Sequence, residues 1–137
     1  MSVLGDVRQA LADTITAAVD NFHVYPEVPD MVIPVPCGVV QPDEGDYTYV
    51  QGEPDALIQL SVIVLVSRGG EFASAQALLD GLISPQGFGS VAQALLDEPT
   101  LGDVVEFAVV TGFDRYGRFN FGQVEYLGAR LRMTVDA

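Results

Sequence analysis

The stretch Ala56–Ser67 reads ALIQLSVIVLVS, and its periodicity decides how the rest of the chain must fold. In an extended strand Ile58, Leu60, Val62, Val64 and Val66 share one face, and Leu57, Gln59, Ser61, Ile63 and Leu65 share the other. The first face is apolar throughout and the second becomes apolar in its later half. Such a strand expects cover on both faces over part of its length. One layer of helices in a small domain covers one face, so the other is expected to need a partner subunit. The apolar run from Ala56 to Val66 is about half the ~20 residues of a spanning helix and contains Gln59 and Ser61, so no membrane segment is expected.

Downstream, Gly69 and Gly70 break the strand, and EFASAQALLDGLI places Phe72, Ala75, Leu79 and Ile83 on one helical stripe with Leu78 and Leu82 beside it. SPQGFG reads as a turn. Ser90 followed by Gln93 forms a capping box for a short helix, SVAQALLDE, that buries Val91, Leu95 and Ala92. The phrase AQALLD starts at Ala75 and again at Ala92. Two copies at so short a period do not make a solenoid or propeller, so the echo is the shared vocabulary of two helices rich in alanine and leucine. Asp80 and Asp97 have no base or nucleophile signal beside them and are not read as acid/base residues.

Upstream, Val3, Leu4, Val7, Leu11, Ile15, Ala18 and Val19 recur at helical spacing, with Ser2 as the expected N-cap and Asp6 favouring the first turns. Asn21 ends that helix. FHVYPEVP reads as a short extended piece, Pro29, Pro34 and Pro36 keep the following link irregular, and CGVVQ is a short strand. Residues 41–55, QPDEGDYTYVQGEPD, carry Asp43, Glu44, Asp46, Glu53 and Asp55 without a base and read as an exposed loop or loose hairpin, with Tyr47 and Tyr49 on one side. The acids lack the alternation and distal glutamate of a calcium loop, so no metal site is expected.

The C-terminal third is β. In DVVEFAVVTGFD, the set Val105, Phe107, Val109, Thr111 and Phe113 alternates with Val104, Glu106, Ala108, Val110 and Gly112. In VEYLGARLRMTVD, Leu127, Ala129, Leu131, Met133 and Val135 oppose Arg130, Arg132, Thr134 and Asp136. The two are expected to pair as an antiparallel hairpin with RYGRFNFGQ at its tip. That tip gathers Arg115, Tyr116, Arg118, Phe119 and Phe121, residue types that anchor interfaces. With Ile63, Leu65 and Arg68 from the central strand, these are the candidate interface residues. The bland alternative is that the aromatics fold back onto their own sheet.

Composition narrows the function. The 137 residues fit one domain; 49% are hydrophobic and the mean hydropathy is +0.30, enough for a sizeable core. The expected class is α+β, a single domain over 1–137, with a mostly antiparallel or mixed sheet packed by an N-terminal helix, a central helix and a short helix. Nineteen acids face six bases, all arginine, for a formal charge of −13. Affinity for nucleic acid rests on basic residues that displace counterions, so direct DNA binding is not expected. The single cysteine, Cys37, excludes an intrachain disulfide, and one histidine, His23, excludes multi-His zinc sites. The start, MSVLGDVRQALADTI, lacks the basic and apolar regions of a secretory signal. No cofactor and no catalytic residue is expected.

The phrases HVYPEVPD, LVSRGGEFASAQALLDGL, GSVAQALLDEPTLG and YLGARLRMTVDA, in this order, resemble the tail terminator proteins of siphophages, particularly those infecting actinobacteria. The resemblance spans essentially the whole chain. It implies a small α/β domain that closes as a six-membered ring on the last ring of the tail tube, ends tube polymerisation, and offers its other face to head-completion proteins. It implies no catalysis, and a location at the head-proximal end of the virion tail, assembled in the host cytoplasm. In such a ring the acids of 41–55, Asp43, Glu44, Asp46, Glu53 and Asp55, become candidates to face a channel that DNA passes without adhering. The nearest alternative is another neck component, a head-completion or stopper protein. A monomeric acidic binding module that mimics DNA and a small hydrolase built on Asp43 and Asp46 are the readings from other classes.

Overall fold

The structure, a computed structural model, describes residues 3–28, 34–50, 53–68, 72–121 and 123–137, with the backbone alone at 48, 50, 53–55, 68 and 72. The expected cap at Ser2 and strand break at Gly69 and Gly70 lie outside the described residues. The order is α1 (Val3–Ala18), β1 (His23–Tyr25), β2 (Cys37–Val50), β3 (Glu53–Arg68), α2 (Phe72–Ile83), α3 (Val91–Asp97), β4 (Phe107–Phe121) and β5 (Val124–Asp136). This is one small α+β domain with a five-stranded mixed sheet and three helices, in the strand order β1-β2-β3-β5-β4. Only the short β1–β2 pair is parallel; the other three pairs are antiparallel.

Local chemistry sets the helix ends. Asn21 adopts φ 56°, a left-handed conformation that asparagine tolerates, and turns the chain from α1 into β1. Thr16 Oγ1 then accepts a 3.0 Å hydrogen bond from the Val24 amide and fixes β1 to the helix. At α3 the Ser90 hydroxyl accepts from the Gln93 amide as expected, but the Gln93 side chain reaches the Gly87 amide rather than that of Ser90. The Ser90 amide is already spent on the Gly87 carbonyl at 3.1 Å, so only half of the reciprocal box forms.

All three helices contribute to one core on one side of the sheet. It joins Leu11 and Ile15 of α1, Leu79 and Leu82 of α2 and Leu95 of α3 to Leu60, Val62 and Val64 of β3 and to Leu131 and Met133 of β5. The predicted apolar faces of β3 and β5 are the faces buried there. A glycine makes the central pair possible. A Cβ on Gly128 would overlap the carbonyl oxygen of Val64 and stand 3.0 Å from a Leu65 methyl.

The opposite face of the sheet corrects the expectation that opened the sequence reading. Ile63 and Leu65 are 2% and 0% exposed within the single chain. They belong to a second cluster with Cys37, Val39, Phe119 and Tyr126, bordered by Tyr25, Val35, Phe121 and Val124. The cover comes from the chain's own aromatics, standing on β4 and β5 and folding over their sheet. No partner subunit is needed to shield that half of β3.

Three boundaries also differ from expectation. Of the two readings of 41–55, the hairpin holds and the loop does not: β2 continues to Val50, and pairing with β3 runs to Val50↔Glu53, past a register shift between Pro42 and Glu44. The segment RYGRFNFGQ is not a hairpin tip. Arg115 to Phe121 lie inside β4, pairing continues to Phe121↔Val124, and a bulge between Asp114 and Gly117 places Arg115 at φ 53°. Strand β4 begins at Phe107, so Val104 and Val105 precede it. It turns Ala108 and Val110 toward the helices, while Phe107 and Phe113 remain exposed.

Candidate interaction surface

Residues directly opposite in a ladder share a face, so the register assigns every site residue a side. Glu44↔Gln59 and Asp46↔Leu57 continue through Gln59↔Thr134 and Ser61↔Arg132, and Asp114 opposes Arg130. These residues lie on the helix-free side, the face that also carries the aromatic cluster, with Arg130 directly opposite Ile63 of that cluster.

Here the structure makes a polar groove of about 480 Å³, lined among others by Gln41, Asp43, Glu44, Gln59, Arg130 and Arg132. Its anchor is a two-pronged pair: Arg130 Nε and Nη2 donate to the two carboxylate oxygens of Asp114 at 2.7 and 2.6 Å. Arg132 Nε stands 3.7 Å from the same carboxylate. The hydrogen bond from Arg130 is the largest influence on Asp114 and holds its carboxyl below the ordinary range; Arg130 is raised in return. A carboxylate held this way is a poor proton donor at neutral pH. Asp43 accepts from the Ser61 hydroxyl, the one buried polar side chain among the described side chains of β3.

The sequence-selected aromatic and basic residues divide between the two sides. Phe119 is buried and Phe121 half-buried in the second cluster, with the Arg115 guanidinium 5.0 Å from the centre of the Phe119 ring. Arg118 pairs with Glu125 at 3.1 Å. Tyr116, half-turned toward the helices, donates its hydroxyl to Asp80 of α2 at 2.9 Å and packs edge-on against Phe113. Desolvation leads the causes that raise the Tyr116 phenol above its ordinary value, followed by Asp80. Ile63 and Leu65 are interior and present no surface, and for Arg68, Glu53 and Asp55 only the backbone position is described. Glu44 and Asp46 are exposed on the far end of β2.

Two surface features escaped sequence reasoning. The Arg130–Asp114–Arg132 array was visible only as polar positions opposite an apolar face, because its acid comes from the neighbouring strand. Phe88 is 99% exposed at the turn between α2 and α3, between Gly87 and Gly89, both with positive φ. The motif GFG contains the signal: a large apolar side chain set between two glycines has no neighbouring side chain to cover it.

The far end of the β2–β3 hairpin is an arm with two unlike sides. Tyr47 and Tyr49, 61% and 69% exposed, lie on the helix side and border an apolar groove of about 420 Å³ with Val3, Leu4, Ala56, Ile58 and Ala137. Glu44 and Asp46 lie on the other side. Among the described residues no helix is long and apolar enough to cross a membrane, and no cluster of three metal-ligating side chains forms. A scan against protein-family models gives no match to this chain, and a search of curated proteins gives none either.

Proposed function

We propose that the chain is a structural assembly protein of the tail-terminator kind. Six copies close into a ring on the head-proximal end of a non-contractile tail tube. The ring stops tube growth and forms the joint to the head-completion proteins. The observation that carries the reading is the division of charge across the sheet. Four of the six bases, Arg115, Arg118, Arg130 and Arg132, belong to β4 and β5 beside three acids, Asp114, Glu125 and Asp136, whereas the β2–β3 arm toward the other edge holds five acids and no base. A surface with unlike ends joins head to tail, the contact type that generates a ring when the rotation between copies closes and a filament when it does not. Phe88, Tyr47 and Tyr49 add exposed aromatics of the type that anchors interfaces.

The burial of Ile63 and Leu65 withdraws one argument for a ring, since the central strand no longer demands a neighbour. The reading therefore rests on the edges and the exposed aromatics, with each contact between copies expected to bury about 1,600 Å². The acidic arm remains compatible with a channel wall that repels DNA phosphate.

The test is location. Tails isolated without heads should carry the protein at one end, and tubes assembled without it should overrun their length. A protein recovered only with filled heads, and absent from headless tails, would instead be a stopper or head-completion component.

A further inference from the structure

We infer that the acidic arm at the end of the β2–β3 hairpin docks along the β4 edge of a second copy of this chain. The inference rests on the assembly reading above and names the contact through which copies join. Both partners of the contact are sheet edges. Strand β1 covers only Cys37, Gly38 and Val39 of β2, so the rest of β2, out to Val50, has no neighbour on that side among the described strands. Strand β4 is the other edge of the sheet. Its start is covered where the Ala108 amide donates to the Pro99 carbonyl at 2.7 Å, and beyond that point it is the outermost described strand.

The two edges match side for side. On the helix-free side the arm offers Glu44 and Asp46, and the β4 edge offers Arg115, with Arg132 half exposed behind it. On the helix side the arm offers Tyr47 and Tyr49, and the β4 edge offers Phe113 and Tyr116, which are 50% and 40% exposed. If one copy's sheet is laid beside the next with the helices of both on the same side, carboxylates meet guanidiniums and aromatics meet aromatics. With the sheets flipped, acids face phenyl rings and the match is lost. The bulges in β4 break the flat ladder that would invite unselective strand pairing. Side chains therefore decide the partner, and the contact should weaken with salt.

Charge reversal provides the test. The arm variant combines Glu44→Arg with Asp46→Arg, and the edge variant combines Arg115→Glu with Arg132→Glu; all four positions are exposed and circular dichroism checks that each variant folds. Association is read by light scattering after size exclusion and by sedimentation at up to millimolar protein, where a contact that normally needs a template is still populated. Each variant alone should associate at least tenfold more weakly than the wild type, and an equimolar mixture should recover association, since each arm again meets an edge of opposite sign. Wild-type protein that stays monomeric at millimolar concentration, or variants that associate as the wild type does, would overturn the inference. Failure of recovery in the mixture would overturn it equally. A wild type that assembles through this contact yet never localises to tails would refute the terminator reading and leave the contact standing.

Discussion

Replacing Gly128 by alanine tests the packing of the central strand pair. The added methyl would overlap the Val64 carbonyl oxygen, a backbone atom that cannot rotate away, and would stand 3.0 Å from Leu65 Cδ2. Relief requires β3 and β5 to move apart where Val64 pairs with Ala129 and Leu65 with Gly128. Overpacking of this kind costs about 1–3 kcal/mol. A ladder hydrogen bond weakened by the separation adds about 1 kcal/mol. The expected loss is therefore about 2–4 kcal/mol, equal to a fall in Tm on the order of 8–16 °C for a domain of this size. Gly45→Ala is the matched control, because a Cβ there meets nothing closer than 3.8 Å. It should change stability by less than about 0.5 kcal/mol. Urea unfolding followed by circular dichroism measures both variants. If Gly128→Ala unfolds at the same urea concentration as Gly45→Ala and the wild type, the proposed crowding between β3 and β5 is wrong.

The remaining predictions address the second cluster and the polar groove. Leu65→Ala should destabilise the isolated chain by about 2–5 kcal/mol, as a fully buried leucine does; a loss seen only in an assembled form would return Leu65 to an intersubunit role. Cys37 is buried, and burial pushes its thiol up to about 12, so a thiol reagent at pH 8 should modify it only as fast as the protein opens. Reaction in native protein at the rate of a free thiol would refute that burial. Asp114→Asn should lower stability at neutral pH, with a deficit that shrinks under acid. A carboxyl whose native pKa is depressed contributes fully above its ordinary value of 3.8 and loses that contribution as pH falls through the lower native value. A deficit unchanged between pH 7 and pH 2 would mean that the Arg130 pair does not stabilise the fold.

What the sequence could reveal followed from periodicity. The faces of β3 and β5, helix α1 and its end at Asn21, and the Ser90 cap rest on residues within a few positions of one another, so their reading needed no knowledge of neighbours. The cover over Ile63 and Leu65 was not legible because it comes from Tyr126 and Phe119, roughly sixty residues downstream. The same aromatics supported either an outward or an inward reading, and register alone turned Phe119 inward while leaving Tyr116 exposed. The acidic segment read as a loop or a loose hairpin because Pro42, Gly45 and many carboxylates disfavour strands, yet pairing with an apolar β3 carries β2 through them as a continuous ladder arm. Candidate contacts fared unevenly for the same reason. Arg115 and Tyr116 stand at a sheet edge, whereas Asp114 and Arg130 met only through strand pairing.

The position of β5 bears on how the polypeptide matures at the ribosome. It lies between β3 and β4 but is synthesised after both. While translation proceeds, β3 therefore emerges with its inner leaflet of valine and leucine bare on one flank, and β4 has no strand to join. Only insertion of the final wedge zips the two halves together. Nascent chains paused before Val124 should be sticky and protease-sensitive, and factors that hold unfinished polypeptides should matter most for this protein in that brief interval.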